Sequence, residues 1–195
     1  MGKARLEAFS DGVLAIIITI MVLELRVPHE PTLRGLLPEI PILLIYALSF
    51  ANIGIFWNNH HHMVHTVSRV TGPMLWANLH LLFWLSLVPF VNEWMGESGF
   101  AALPCAAYGV VLLMAAIAYW ILQRTIIGSQ GPNSLLRRAI GSDWKGKLSP
   151  ALYASAVPIA FVARWLSVAL YVLVAVLWLI PDRRIERVVT AQDHG

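Results

Sequence analysis

Long apolar stretches dominate the chain, and polar residues gather in the short segments between them. A helix needs about 20 mostly apolar residues to cross a hydrocarbon core of about 30 Å, and by that measure there are six candidate spans. The first runs from about Ala8 to Leu25, and the second from about Leu37 to His61. The third covers about Pro73 to Trp94, and the fourth about Phe100 to Ile127. The last two share the stretch from Leu148 to Ile180, which Pro158 and Arg164 interrupt. That stretch is too long for one ordinary span. It is read as a tight hairpin of two short helices, 148–163 and 165–180, with Arg164 snorkelling to water at the bend. One tilted, kinked helix is the alternative. The pattern predicts an all-α integral membrane protein, with one six-helix domain over residues 1–195 and a polar loop at 128–147.

Composition agrees and narrows the class. Of 195 residues, 58% are hydrophobic and 13% charged, against about 45–50% and about 25% in a soluble domain. The mean hydropathy is +0.68. These values exclude a disordered chain, a coiled coil, a nucleic-acid-binding domain and a disulfide scaffold. Cys105 is the single cysteine and has no partner for an internal bridge. The first apolar run reads as a retained helix: Asp11 lies near its start, and Leu25-Arg26-Val27-Pro28 is no small-residue cleavage site.

Lysines and arginines give the orientation. With six spans, Lys3, Arg5, Arg69, Arg124, Arg137, Arg138, Lys145, Lys147, Arg183, Arg184 and Arg187 share one side. Only Arg26, Arg34 and Arg164 fall on the other, which also carries Glu24, Glu30, Glu39, Glu93 and Glu97. Such a bias places both termini in the cytoplasm. The basic loop then lies on the cytoplasmic face, with a short amphipathic piece at 134–140 suited to anionic lipid.

The first helix has two unlike sides. Ser10 and Asp11 sit about a turn into the membrane, where an aspartate is expensive unless a partner satisfies it. The six-span topology brings the end of the second helix (Trp57, Asn58, Asn59, His60, His61, His62) and the start of the third (Trp76, Asn78, His80) to the same depth. Arg5, Ser10, Asp11, Trp57, His60, His61 and Asn78 are therefore expected to form a structural polar network that locks three helices together. On the other side, at 100° per residue, Gly12, Ile16, Thr19, Ile20 and Leu23 form one apolar stripe carrying a single hydroxyl, with Glu24 at its edge. By itself such a stripe reads as lipid-facing or as core packing.

The motif Arg5-x-x-x-Phe9-Ser10-Asp11-x-x-x-Ala15 resembles the RxxxFSDxxxA signature of the transmembrane protein 175-like potassium channels, the family of the endosomal and lysosomal potassium channel and its prokaryotic homologues. Asn78-Leu-His-Leu-Leu-Phe-Trp-Leu-Ser86-Leu-Val-Pro89-Phe90 resembles the family's third helix, and Phe56-Trp57-Asn-Asn-His60-His61 the end of its second. The resemblance covers essentially the whole chain. It implies the prokaryotic, single-repeat branch, assembled as a homotetramer whose pore is lined by the first helix of each subunit. It also implies a pore without a TVGYG filter. By alignment through the signature, the apolar constriction falls on Ile16 and Leu23 and the potassium-preferring layer on Thr19, with Gly12 and Ile20 lining the pore. These residues lie on the stripe that the helical wheel isolates.

The expected function is thus a potassium-preferring cation channel of the cell membrane, not an enzyme, with K+ as permeant ion, no cofactor and no metal. Its expected partners are copies of itself, the lipid bilayer and monovalent cations, with no nucleic acid. Collars of Ile16 and Leu23 would gate by dewetting and dilation. Glu24 has two readings: a mouth carboxylate that concentrates cations, or an interfacial anchor. Two other functions compete. A secondary transporter needs paired broken helices and a midplane ionisable site, whereas only Pro89 and Pro158 interrupt the spans. A histidine-cluster metal protein would use His60, His61, His62 and His65, of which His61 and His65 share a helix face. No second histidine box accompanies them.

Overall fold

The computed structural model describes residues 2–131, 134–140 and 143–179, and no strand occurs among them. Arg183, Arg184 and Arg187 and the end of the last apolar run lie outside the described residues. The helices are α1 (Lys3–Leu23), α2 (Leu33–Leu36), α3 (Ile40–His65), α4 (Gly72–Ser86), α5 (Val88–Glu97), α6 (Ala102–Gln130), α7 (Leu135–Ile140), α8 (Trp144–Ile159) and α9 (Arg164–Leu179). A single 3-10 turn, Leu37–Glu39, joins α2 to α3. Four segments are long and apolar enough to cross a membrane: α1, Leu33–His65, Gly72–Glu97 and α6. The chain is an all-helical membrane protein.

Proline marks the start of the 3-10 turn and of α3, α4 and α5. It lacks a backbone N–H and clashes with the carbonyl four residues earlier, so it sits most easily in a helix's first turn, although Pro150 and Pro158 lie inside α8. Pro38 and Pro41 sit in the opening turns of the 3-10 segment and of α3. Pro89 sits in the first turn of α5, so the third apolar run is two helices that meet at Leu87 and not one bent rod. The polar loop is shorter than the apolar pattern suggests. α6 continues to Gln130, α8 starts at Trp144 under an Asp143 N-cap, and α7 occupies the basic stretch between them.

α6 is the centre of the protomer and touches α4, α5, α8 and α9. Cys105, Leu112, Ala115, Ala118 and Leu122 are buried along it, and its alanines admit close neighbours. At Gly109 the approach is closest: a Cβ there would overlap the Tyr171 hydroxyl of α9. That hydroxyl donates to the Cys105 carbonyl (2.9 Å), so the missing side chain admits the bond that ties α9 to α6. The chain turns back over 160–163, and Ser167 donates across the hairpin to the Ala156 carbonyl (2.9 Å). The stretch from 148 onward is therefore two packed helices. Arg164 opens the second of them, with its guanidinium 5.6 Å from the Trp165 ring centre.

Candidate functional site

α1 lies against α3, α4 and α5 with one face only. Leu6, Ser10, Leu14, Ile17 and Met21 recur every three or four residues and are buried. The opposite face carries Gly12, Ile16, Thr19, Ile20 and Leu23, all exposed. Leu14 is 1% exposed, whereas Ile16 and Leu23 are 58% and 80% exposed. The face is flat at its near end, since a Cβ on Gly12 would meet nothing within 4 Å. Thr19 donates its hydroxyl proton back to the carbonyls of Ala15 and Ile16, both at 3.0 Å. Its oxygen lone pairs are then left as acceptors on the exposed side.

The buried face is pinned near its beginning. His60 Nε2 lies 2.7 Å from Asn78 Oδ1, Asn78 Nδ2 donates to Ser10 Oγ at 3.0 Å, and Ser10 donates to the Leu6 carbonyl at 2.9 Å. All three side chains are buried. One polar chain thus joins α3, α4 and α1. Beside it, Trp57 Nε1 donates to Asp11 Oδ1 at 2.9 Å, and the Trp57 ring stacks on His61 at 6.1 Å. Arg5 stays apart from this group: its side chain is exposed and makes no hydrogen bond or ion pair among the described residues. Lys3 supplies the basic contact instead, donating to the His65 carbonyl at 2.6 Å and pairing with Glu7 at 4.0 Å. Sequence periodicity cannot tell these two cations apart, because both lie in the first turn.

A second polar string holds the far end. Glu24 caps α1 one residue beyond the apolar segment. Asn92 of α5 donates to its Oε2 at 3.4 Å, and Ser49 of α3 donates to Asn92 Oδ1 at 2.7 Å. Ser49 also lies 3.0 Å from the hydroxyl of Tyr108 on α6. Burial pushes the Glu24 carboxyl up to about 7; the Asn92 bond pulls the other way, and Glu93 adds to the rise. Glu24 is therefore both anchored and poised to change charge near neutrality. Arg26 and Glu97 form an ion pair close by. Single polar residues in apolar runs give no periodic signal, so Asn92, Ser49 and Tyr108 could be found only once the helices were placed.

The histidines of α3 crowd together, with His61 5.6 Å from His62 and 6.2 Å from His65 between ring centres. Among the described residues, no group of three or more His, Cys, Asp or Glu is placed to hold a metal ion.

Comparison with known proteins gives the family. The family model described as "Endosomal/lysosomal potassium channel TMEM175" matches residues 5–89, which include most of α1 and its partners in the polar chain. A protein named potassium channel from Chryseobacterium sp. (strain P1-3) is 54% identical over 187 residues, covering 96% of this chain and 97% of that protein. The human protein named endosomal/lysosomal proton channel TMEM175 is 29% identical over 116 residues, covering 53% of this chain and 23% of that one. Among solved structures, the crystal structure of a lysosomal potassium-selective channel TMEM175 homolog from Chamaesiphon minutus superimposes with a TM-score of 0.79 at 30% identity. It covers 92% of this chain and 97% of the other.

Proposed function

The chain belongs to the endosomal/lysosomal potassium channel TMEM175 family, and on that premise we propose that it is a potassium-preferring cation channel of the cell membrane. It catalyses no reaction and uses no cofactor; K+ is the ion that passes. Four copies assemble around an axis lined by α1, with six spans per copy and both termini in the cytoplasm. The observation that carries this reading is the division of α1. One face is pinned by buried hydrogen bonds, and the other, with Ile16, Thr19 and Leu23, is apolar and uncovered in the protomer. A helix fixed so firmly with one face bare is suited to meet copies of itself.

At a rise of 1.5 Å per residue, the Ile16, Thr19 and Leu23 layers stand about 4.5 and 6 Å apart along the axis. Rings of Ile16 and Leu23 form apolar collars that close by dewetting. Between them, four Thr19 oxygens with their protons turned to the helix backbone replace part of the ion's hydration shell. Such a layer has fewer ligands than a cage of carbonyls, so potassium preference is modest. Glu24 concentrates cations at the outer mouth when ionised. α8 and α9, at 16 residues each, are about 24 Å long and form a hairpin span that braces α6.

The test is potassium flux into liposomes together with the oligomer's mass in detergent. Ile16→Asn wets the narrowest collar, and flux is expected to rise about tenfold or more, a change of about 1.4 kcal/mol in the barrier. An unchanged flux removes Ile16 from the ion path. A monomer as the flux-competent species removes the central pore altogether.

A further inference from the structure

A second space lies inside the protomer, away from the bare face of α1. It is a partly open cleft between α3, α6, α8 and α9. Its walls are aromatic: Phe56, Tyr119, Trp120, Tyr153 and Trp178 all line it. Between the rings stand the polar side chains of Asn52, Asn59, Gln123, Asp143 and Ser149. Asp143, at the start of α8, lines the cleft and accepts from the Gly146 backbone N–H at 3.3 Å. Gln123 also bonds the Asp143 side chain, and burial raises the Asp143 carboxyl above the ordinary aspartate range.

Two polar atoms of the lining are unused. Tyr153 is 3% exposed, and among the described residues its hydroxyl makes no hydrogen bond. Asn59 spends its amide N–H on the Ile55 carbonyl (2.8 Å), and its side-chain oxygen has no partner among the described residues. An acyl chain in the cleft would leave these groups, and a buried carboxylate, unmatched. A polar occupant satisfies them. The charge that suits the site is positive, because aromatic faces and a carboxylate both attract cations. The rim already shows this preference: Arg124 lies 5.3 Å from the Trp120 ring centre and Lys145 5.9 Å from that of Trp178. Arg124 and Lys147 also act on Asp143, but both are exposed, so water screens them.

We propose that this cleft binds a small organic ammonium ion with an apolar body, one per protomer and outside the ion path. The ammonium head contacts Asp143, the Asn59 oxygen and the Tyr153 hydroxyl, and the body lies against Phe56 and Tyr119.

Phenethylammonium, titrated calorimetrically into the full-length protein in nanodiscs, is the probe. Saturable binding at one molecule per chain is expected. 2-Phenylethanol, which swaps the ammonium for a hydroxyl, is expected to bind about tenfold more weakly. Asp143→Asn should weaken the ammonium by a similar factor while sparing the fold, since Asn caps a helix as well as Asp. Tyr153→Phe removes one oxygen and should weaken binding about threefold. Ile16→Asn should leave binding unchanged. The proposal fails if binding does not saturate, if the alcohol binds as tightly as the ammonium, or if Tyr153→Phe retains full affinity. It also fails if a folded Asp143→Asn binds normally, or if Ile16→Asn abolishes binding and so places the probe in the pore. Because these readouts are independent of ion flux, a failed channel reading leaves the result interpretable.

Discussion

α1 and α6 are equally apolar, each with a mean hydropathy of 2.1, yet 50% of the apolar stretch is buried in α6 and 28% in α1. The difference is one of distribution. α6 has neighbours around it and small residues where they approach, at Gly109, Ala115 and Ala118. α1 keeps its exposure on one stripe and its polar bonds on the other side. Hydropathy thus identifies a membrane helix without saying whether it supports the protomer or meets another copy. The position of its few polar residues shows which face is held inside the protomer and which stays bare.

The comparison breaks most severely at Asn78. Asn78→Ala leaves Ser10 and His60 short of partners in a buried layer. It should cost about 2–4 kcal/mol, visible as a lower melting temperature and loss of the assembled species. A stable assembly with altered ion preference would mean that the polar chain contacts ions. On the α6 side, Gly109→Ala forces Tyr171 out of place and should cost about 1–3 kcal/mol. Thermal unfolding should show this while the oligomer, once folded, keeps its ion preference. Asn78→Ala and Gly109→Ala thus separate damage to assembly from damage to the protomer.

Thr19→Ala touches only the bare stripe. The potassium-to-sodium permeability ratio is expected to fall about threefold, with stability changing by less than about 0.5 kcal/mol. An unaltered ratio in bi-ionic potentials would move selectivity to another layer. The smallest effect concerns Glu24, whose carboxyl titrates near 7. It is neutral at pH 6 and charged at pH 8, so its attraction for cations is lost as pH falls through that value. Potassium flux at low salt should rise about twofold over this interval. Glu24→Gln should flatten that part of the profile; an identical profile in the variant assigns the pH response to another group.

Much of the first helix was legible in the sequence. The wheel isolated the stripe from Gly12 to Leu23, and depth arguments brought Ser10, Asp11, Trp57, His60 and Asn78 to one layer, where Ser10 bonds Asn78 and Asp11 bonds Trp57. The turn before Arg164 and the short helix near 134–140 were legible too, because charge and proline interrupt apolar runs visibly. Three things were not. Pro89 announced a disturbance, but not that α4 would end at Ser86 and a new helix begin. Arg5 belonged to the motif, yet Lys3 made the contact. The string from Glu24 to Tyr108 and the cleft around Asp143 depend on which single polar side chains face each other across packed helices. Only tertiary geometry decides that.

The pinned beginning of α1 also makes the helix a lever. Turning α1 about its own axis would carry Ser10 away from Asn78 and break the polar chain at once, whereas tilting it about that point leaves that chain whole and gives up instead the long bond from Asn92 to Glu24 (3.4 Å) at the far end. From Ser10 to Leu23 the arm is about 20 Å long, and from Ser10 to Ile16 about 9 Å. A tilt of about 5° therefore displaces Leu23 by a little under 2 Å and Ile16 by about 0.8 Å. In the proposed tetramer the outer collar travels about twice as far as the inner one for any such motion. On that proposal, once the bond between Glu24 and Asn92 gives way, the Leu23 collar widens ahead of the Ile16 collar.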